Sequence, residues 1–130
     1  MGVFKLMKKK LMIKNTDEIE LVMNKGFSKA NRTFIVYKLK NPTNDGFRIA
    51  ISAPKKLGKA VVRNKVKRQI RSVLQQNSQL LKKGHDYFII ARPDILEIDF
   101  VAITKQMHHI LKLVHQPPQK RNNNNNKKSS

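Results

Sequence analysis

The stretch KAVVRNKVKRQIR, Lys59–Arg71, carries six cations in thirteen residues, with Ala60, Val61, Val62, Val66 and Ile70 threaded between them. An α-helix turns about 100° per residue, so with Val62 at zero, Val66 falls at about 40°, Ile70 at about 80° and Val73 at about 20°. On the same wheel Arg63, Lys67 and Arg71 fall at about 100°, 140° and 180°, and Asn64 and Arg68 at about 200° and 240°. The spacing predicts a helix with one apolar stripe and one basic, amide-bearing face. Arg63, Lys67 and Arg71 repeat at i, i+4 and i+8, where like charges repel and weaken an isolated helix. The column makes sense if phosphates neutralise it. A guanidinium forks phosphate oxygens, and an amide both donates and accepts, which suits Arg63 and Asn64 to nucleic acid. Two other readings compete. One is a solvated charged face. The other is a membrane-surface helix, but the stripe has only small residues where insertion favours Trp, Phe or Leu.

Working outward, the chain is 130 residues long, which favours one domain, and 39% hydrophobic, enough for one modest core. Its 28 Lys and Arg against 8 Asp and Glu give a formal charge of +20. A compact domain repels itself at that charge, so an anionic partner is implied. The charge is also uneven: from Gly46 to His85 there is no acid, while eleven Lys or Arg occur. No apolar run approaches a membrane span. The start, MGVFKLMKKKLMIKN, is too broken by lysines for a secretory signal, and Leu6 stands where a myristoylation pattern expects Ser or Thr. Cysteine is absent, which removes disulfide and thiolate chemistry and is compatible with a cytoplasmic location. Nucleic acid is the leading partner class, with no membrane.

Asn15-Thr16-Asp17-Glu18 reads as a helix start, Ile19, Val22 and Met23 follow at helical spacing, and Gly26 is a stop. TFIVYKLK, Thr33–Lys40, is β-branched and aromatic and reads as a strand. The turn formers at 41–46 and the segment FRIAISA, Phe47–Ala53, read as the second half of a hairpin. The basic helix runs from Lys59 to Gln76, with room to reach Lys83 before Gly84. DYFIIAR, Asp86–Arg92, is a buried strand stopped by Pro93, and Asp99 can cap a final helix, Phe100 to about His115. Residues 1–13 are expected to be a flexible basic start, residues 14–116 the domain, and the Asn/Lys-rich tail 117–130 disordered. The order αββαβα gives an α+β sandwich. If Phe47–Ala53 and Asp86–Arg92 are parallel neighbours, the default crossover between them is right-handed.

Catalysis by the chain itself lacks support. A metallonuclease needs clustered carboxylates, and these acids are scattered. His108 and His115 share a helix face, which raises zinc, but no carboxylate or Cys accompanies them; ordinary helix histidines are commoner. No nucleophile-elbow glycines mark a triad.

Lys59–Arg68, KAVVRNKVKR, resembles the Arg-Asn-Arg signature helix of the bacterial ribonuclease P protein family. Lys55-Lys56-Leu57-Gly58 resembles the lysine-rich loop before it. Ala30-Asn31-Arg32, FIVYKL and YFIIAR stand in that family's order and spacing, over roughly Lys14–Val114. The resemblance implies a two-layer αββαβα sandwich with a small mixed sheet and an unusual left-handed βαβ crossover. It also implies a protein subunit that assists a catalytic RNA in removing the 5′ leader of precursor tRNA. No obligate protein partner is implied, and Mg²⁺ is held mainly by the RNA and not by the protein alone. Carried onto this chain, the RNA-binding residues are Lys55, Lys56, Lys59, Arg63, Asn64, Lys65, Lys67, Arg68 and Arg71. Lys65 stands where the family usually has Arg, so charge is kept and the bidentate fork lost. The leader cleft is expected at Ile19, Met23, Arg32, Tyr37 and Arg92. Ile19 and Met23 replace two usual aromatics, so stacking on bases is reduced in favour of shape, sulfur contact and charge. By periodicity alone Ile19, Met23 and Tyr37 fit a core equally well, and Arg92 fits an ordinary strand-end cation. The alternatives are a stand-alone RNA-binding module, such as a ribosomal protein or assembly factor, and a helix-based DNA binder. The second lacks a helix closely preceding the basic one.

Overall fold

Asn15 sets the first helix: its Oδ1 accepts from the Asp17 backbone N–H at 2.8 Å, and Asp17 and Glu18 lie at the electropositive end. The resulting α1 is Thr16–Lys25. Gly26 then lets it run directly into a strand. A Cβ there would collide with the Val22 carbonyl oxygen and lie 2.8 Å from that of Lys38. In this computed structural model residues 12–13, 15–41 and 46–116 are described. The tail 117–130, expected to be disordered, residues 1–11 of the start expected to be flexible over 1–13, and the tip of the turn at 42–45 lie outside them.

Next come β1 (Phe27–Ala30), β2 (Phe34–Lys40), β3 (Phe47–Ser52), α2 (Ala60–Gln76), β4 (His85–Ala91) and α3 (Phe100–His115). Four strands form one mixed sheet in the order β1-β2-β4-β3. β2 is antiparallel to β1 and β4, while β3 runs parallel to β4, with Ile49 opposite Tyr87 and Ile51 opposite Ile89. The α+β reading holds, with three departures. First, β1 adds a strand that pattern did not show: its burial runs from half-buried Phe27 to three exposed residues, and backbone pairing to β2 holds it. Second, β2 and β3 are not a hairpin pair, because β4 enters between them. Tyr87 and Ile89 face one side of β4 and Phe88 the other, all buried, so this strand belongs in the middle. Third, Met12 and Ile13 are not part of a loose start. Ile13 is buried and its N–H donates to the Ile49 carbonyl at 2.7 Å.

α2 and α3 cover one face of the sheet. Val66, Ile70, Val73 and Leu74 of α2 and Ile103, Met107, Ile110, Leu111 and Val114 of α3 pack on Phe34, Val36, Ile49, Tyr87 and Ile89. Each fully buried side chain of this kind contributes about 1.5–3 kcal/mol before entropy is counted. α1 crosses the opposite face through Val22, against Ala50 and Phe88. The longer α2 did not form: Asn77 ends it, its Nδ2 donating to the Val73 carbonyl at 2.8 Å, and a single 3₁₀ turn, Ser78–Leu80, leads to buried Leu81. Among the described residues no helix is long and apolar enough to cross a membrane.

Candidate nucleic-acid interface

The apolar stripe of α2 is shifted by one turn from its sequence reading. Val66, Ile70, Val73 and Leu74 are buried, whereas Val62 is 36% exposed. The helix start lines an open cavity with Ile95, Leu96 and Ile98, just after Gly58, whose φ of 134° only glycine adopts easily and which turns the Lys55–Leu57 loop into α2. With the stripe centred between Val66 and Leu74, the column Arg63, Lys67, Arg71 borders the core and is half-buried. Lys59, Asn64, Lys65 and Arg68 are exposed, as are Lys55 and Lys56 on the loop. Arg63 is anchored: its Nε donates to the Ala53 carbonyl at 2.8 Å. None of these eight cations makes an ion pair with another described residue. The face offers guanidinium, ammonium and amide groups to solvent, with no described carboxylate paired to them.

The other cluster lies on the face crossed by α1. Register places Ser28, Tyr37, Phe88 and Ala50 in one row and Ala30, Ile35, Ile90 and Ser52 in the next, toward the ends of β3 and β4 that Ala53 and Arg92 extend. The Tyr37 and Phe88 rings stack with centroids 6.2 Å apart. Val22 of α1 packs with buried Ala50 and Phe88, while Ile35 and Ile90 in the next row stay half-buried. Its orientation follows from the helix wheel. Around Val22, Glu18 lies about 40° to one side, and Ile19 and Met23 lie about 60° and 100° to the other. Glu18 bonds Arg48, in the row away from Ile90. Ile19 and Met23 therefore line the flank nearer Ile35 and Ile90. Met23 is 40% exposed, and Ile19 is half-buried against the Val22 cluster. Arg92 leaves the same end of the sheet with its Nη1 bonded to the Asn31 carbonyl at 2.9 Å. Arg32 is exposed on the β1–β2 turn, with Asp94 3.7 Å away. Phe34 takes no part, being fully buried on the α2/α3 side. Ile35, Ile90 and Ser52 escaped the sequence reading. The usable signal was strand parity: Ile35 shares a face with Tyr37, two residues on.

Arg63 bonds the Ala53 carbonyl just past β3 and Arg92 follows its parallel neighbour β4, so the basic helix and the cleft meet at that end of the sheet. One partly buried charge cluster holds the elements together. Arg48 joins Glu18 (3.2 Å) to buried Asp86 (2.9 Å) across α1, β3 and β4. The Asp86 bond, then Glu18, raises the Arg48 guanidinium above its usual range against burial, which opposes it. The three α3 histidines have different partners. His108 Nε2 contacts Asn77 Oδ1 at 2.7 Å, His109 Nδ1 contacts Asn31 Nδ2 at 3.2 Å and His115 Nε2 contacts the Tyr87 hydroxyl at 3.0 Å. They do not converge on one point.

Residues 7–115 match the Ribonuclease P family. The chain belongs to the ribonuclease P protein family. It is 42% identical over 106 residues to the ribonuclease P protein component of Geobacillus kaustophilus, covering 82% of this chain and 88% of that one. The Staphylococcus aureus RNase P protein superposes with a TM-score of 0.74 at 38% identity, over 81% of this chain and 95% of that one. The Thermotoga maritima RNase P protein gives 0.72 at 28% identity, over 81% and 98%. A ribonuclease P protein acts in tRNA processing as the protein subunit of that enzyme, and the α+β sheet with its helices is the arrangement these relatives share.

Proposed function

We propose that this ribonuclease P protein grips the catalytic RNA with the outer face of α2 and the Lys55–Lys59 loop. It holds the single-stranded 5′ leader of precursor tRNA in the cleft between α1 and the open sheet face, and it works in the cytoplasm. The observation that carries this is the set of eight cations around α2 with no ion pair to any described residue, on a helix whose opposite side is fixed in the core. Phosphodiesters are the ligand such a face fits, because they neutralise the column that otherwise repels itself. The cleft suits unpaired nucleotides: Tyr37 offers a ring, Ile35 and Ile90 an apolar floor, and Arg92 a cation at the mouth.

Among the described residues, the carboxylates that the fold uses do not fit a Mg²⁺ site. Glu18 and Asp86 are taken by Arg48, Asp94 accepts from the Thr33 hydroxyl at 2.8 Å, and Asp99 caps α3. Among the described residues no group of three possible metal ligands gathers. The divalent ion and the hydrolytic step are assigned to the RNA, and the protein's share is binding and orientation.

Reconstitution tests this reading. Mixed with the catalytic RNA at low Mg²⁺, the protein should restore cleavage of precursor tRNA. Tight RNA binding without rescue of cleavage would instead identify a stand-alone RNA-binding module.

A further inference from the structure

A second concentration of positive charge lies away from α2, on the α3 side of the sheet near its other end. A cavity of about 320 Å³ is lined there by Lys25, Lys38, Lys40, His85 and His115, with Phe27 and Leu39 as apolar walls. The fold gathers these residues from five elements. Phe27 and Lys38 are register partners across β1 and β2, Lys40 and His85 across β2 and β4, and α1 and α3 end at Lys25 and His115. Lys82 adds its charge from the loop before β4.

Two features set this cavity apart from an ordinary solvated lysine surface. No carboxylate lines it among the described residues, and Lys38, half-buried, has no hydrogen bond or ion pair with any described side chain. A partly desolvated ammonium without an acceptor is costly. The carbonyl ends of α1 and α3 account for Lys25 and His115 at those positions. They do not account for Lys38 and Lys40, which come from a strand.

We propose that this cavity is an anion site that takes a phosphate group, separate from the α2 face and from the leader cleft. Its source is either an RNA backbone phosphate or a free phosphate ion. Burial, then Lys82, lowers the Lys38 ammonium below its usual range. Burial, then Lys38, Lys82 and His85, lowers His115 to about 4. A bound dianion reverses the charge repulsion in both.

The test titrates the full-length isotope-labelled protein with inorganic phosphate and follows amide and His115 ring resonances. Saturable shifts at Lys38, Lys40 and His85, distinct from those on α2, and an upward move of the His115 titration are expected. The Lys38→Gln/Lys40→Gln variant should bind phosphate at this site about tenfold more weakly, as loss of charge-assisted hydrogen bonds requires, and Lys38→Arg/Lys40→Arg should restore it. In a second arm, binding of the ribonuclease P RNA is measured against salt. A slope lower by roughly one unit in the Gln variant identifies RNA as the source, and an unchanged slope with phosphate shifts present identifies a free anion. Unchanged phosphate shifts and an unchanged slope in the Gln variant overturn the site. This RNA arm rests on the proposed function, so Lys67→Ala/Arg68→Ala is run beside it. A slope that falls only for that variant rejects RNA as the source at the cavity and leaves the α2 reading standing; the phosphate titration alone then decides the site.

Discussion

Replacing Lys67 and Arg68 with alanine removes two of the eight cations around α2, none of them ion-paired with a described residue. Each phosphate neutralised adds about 0.7–0.9 to the slope of log affinity against log salt, the lower figure applying to single strands. If all eight engage, the wild-type slope is about 6 and that of the double variant about 5 or slightly less. From about 50 to about 200 mM salt, the wild type then loses roughly 10⁴ in affinity for the RNA and the variant roughly 10³. The fold should survive: Arg68 is exposed, Lys67 only borders the core, and alanine is the strongest helix former. Fluorescence anisotropy with labelled ribonuclease P RNA across a salt series measures the slopes, and circular dichroism checks the helix. An unchanged slope with helicity intact would remove α2 from the RNA contact. A loss of helicity would show that the polar face has been assigned to the wrong side.

Arg48→Ala should cost about 2–4 kcal/mol in urea unfolding, because buried Asp86 loses its guanidinium; the exposure of Glu18, 43%, keeps the figure below that of a fully buried triad. Stability should also fall in mild acid through His115. Its folded value, about 4, lies below the unfolded one of about 6.5, so its contribution is full above about pH 6.5 and is lost as pH drops toward 4. The effect is on the order of 1–3 kcal/mol after solvent screening, and His115→Gln should flatten that limb of a thermal-melt pH profile. Met23→Phe should strengthen leader binding by up to about 1–3 kcal/mol through base stacking, read from precursor-tRNA affinity against a leaderless control. Ile19→Phe should instead lower stability by about 1–3 kcal/mol by overpacking the cluster around Val22, with thermal melting as the measure.

The sequence made α2 legible because local periodicity and burial coincide there: Val66, Ile70 and Val73 repeat at helical spacing and all three are buried. It was less clear at the ends of the stripe. Val62 has the right angle but lines an open cavity beside Ile95 and Leu96 and stays 36% exposed, and no local pattern reports which distant segment will cover a helix start. Strand order was also hidden. The turn formers at 41–46 mark a reversal, yet backbone pairing after a reversal depends on which strand best fills the centre. β4, apolar on both faces, wins that place from β3. β1 offers a pattern reader only Phe27, since its other three residues face solvent. The cleft was half legible for the same reason. Tyr37 and Arg92 came through the family resemblance, while Ile35 and Ile90 become floor residues only once α1 is known to cross one row away.

Where the few acids stand explains why α2 can act as a binding surface at all. Glu18 and Asp86 are used on the opposite face, holding α1 to the sheet through Arg48. Asp94 and Asp99 fix the turn after β4 and the start of α3. An acid placed four residues from Lys67 would stabilise α2 by about 0.2–0.5 kcal/mol, and none is there. The helix forgoes that gain and relies on four buried side chains worth several kcal/mol in total before entropy. Because tertiary burial secures α2, its outer face is free to hold like charges at i, i+4 and i+8 spacing. The energy of neutralising them is then released on contact with phosphate instead of being spent within the fold.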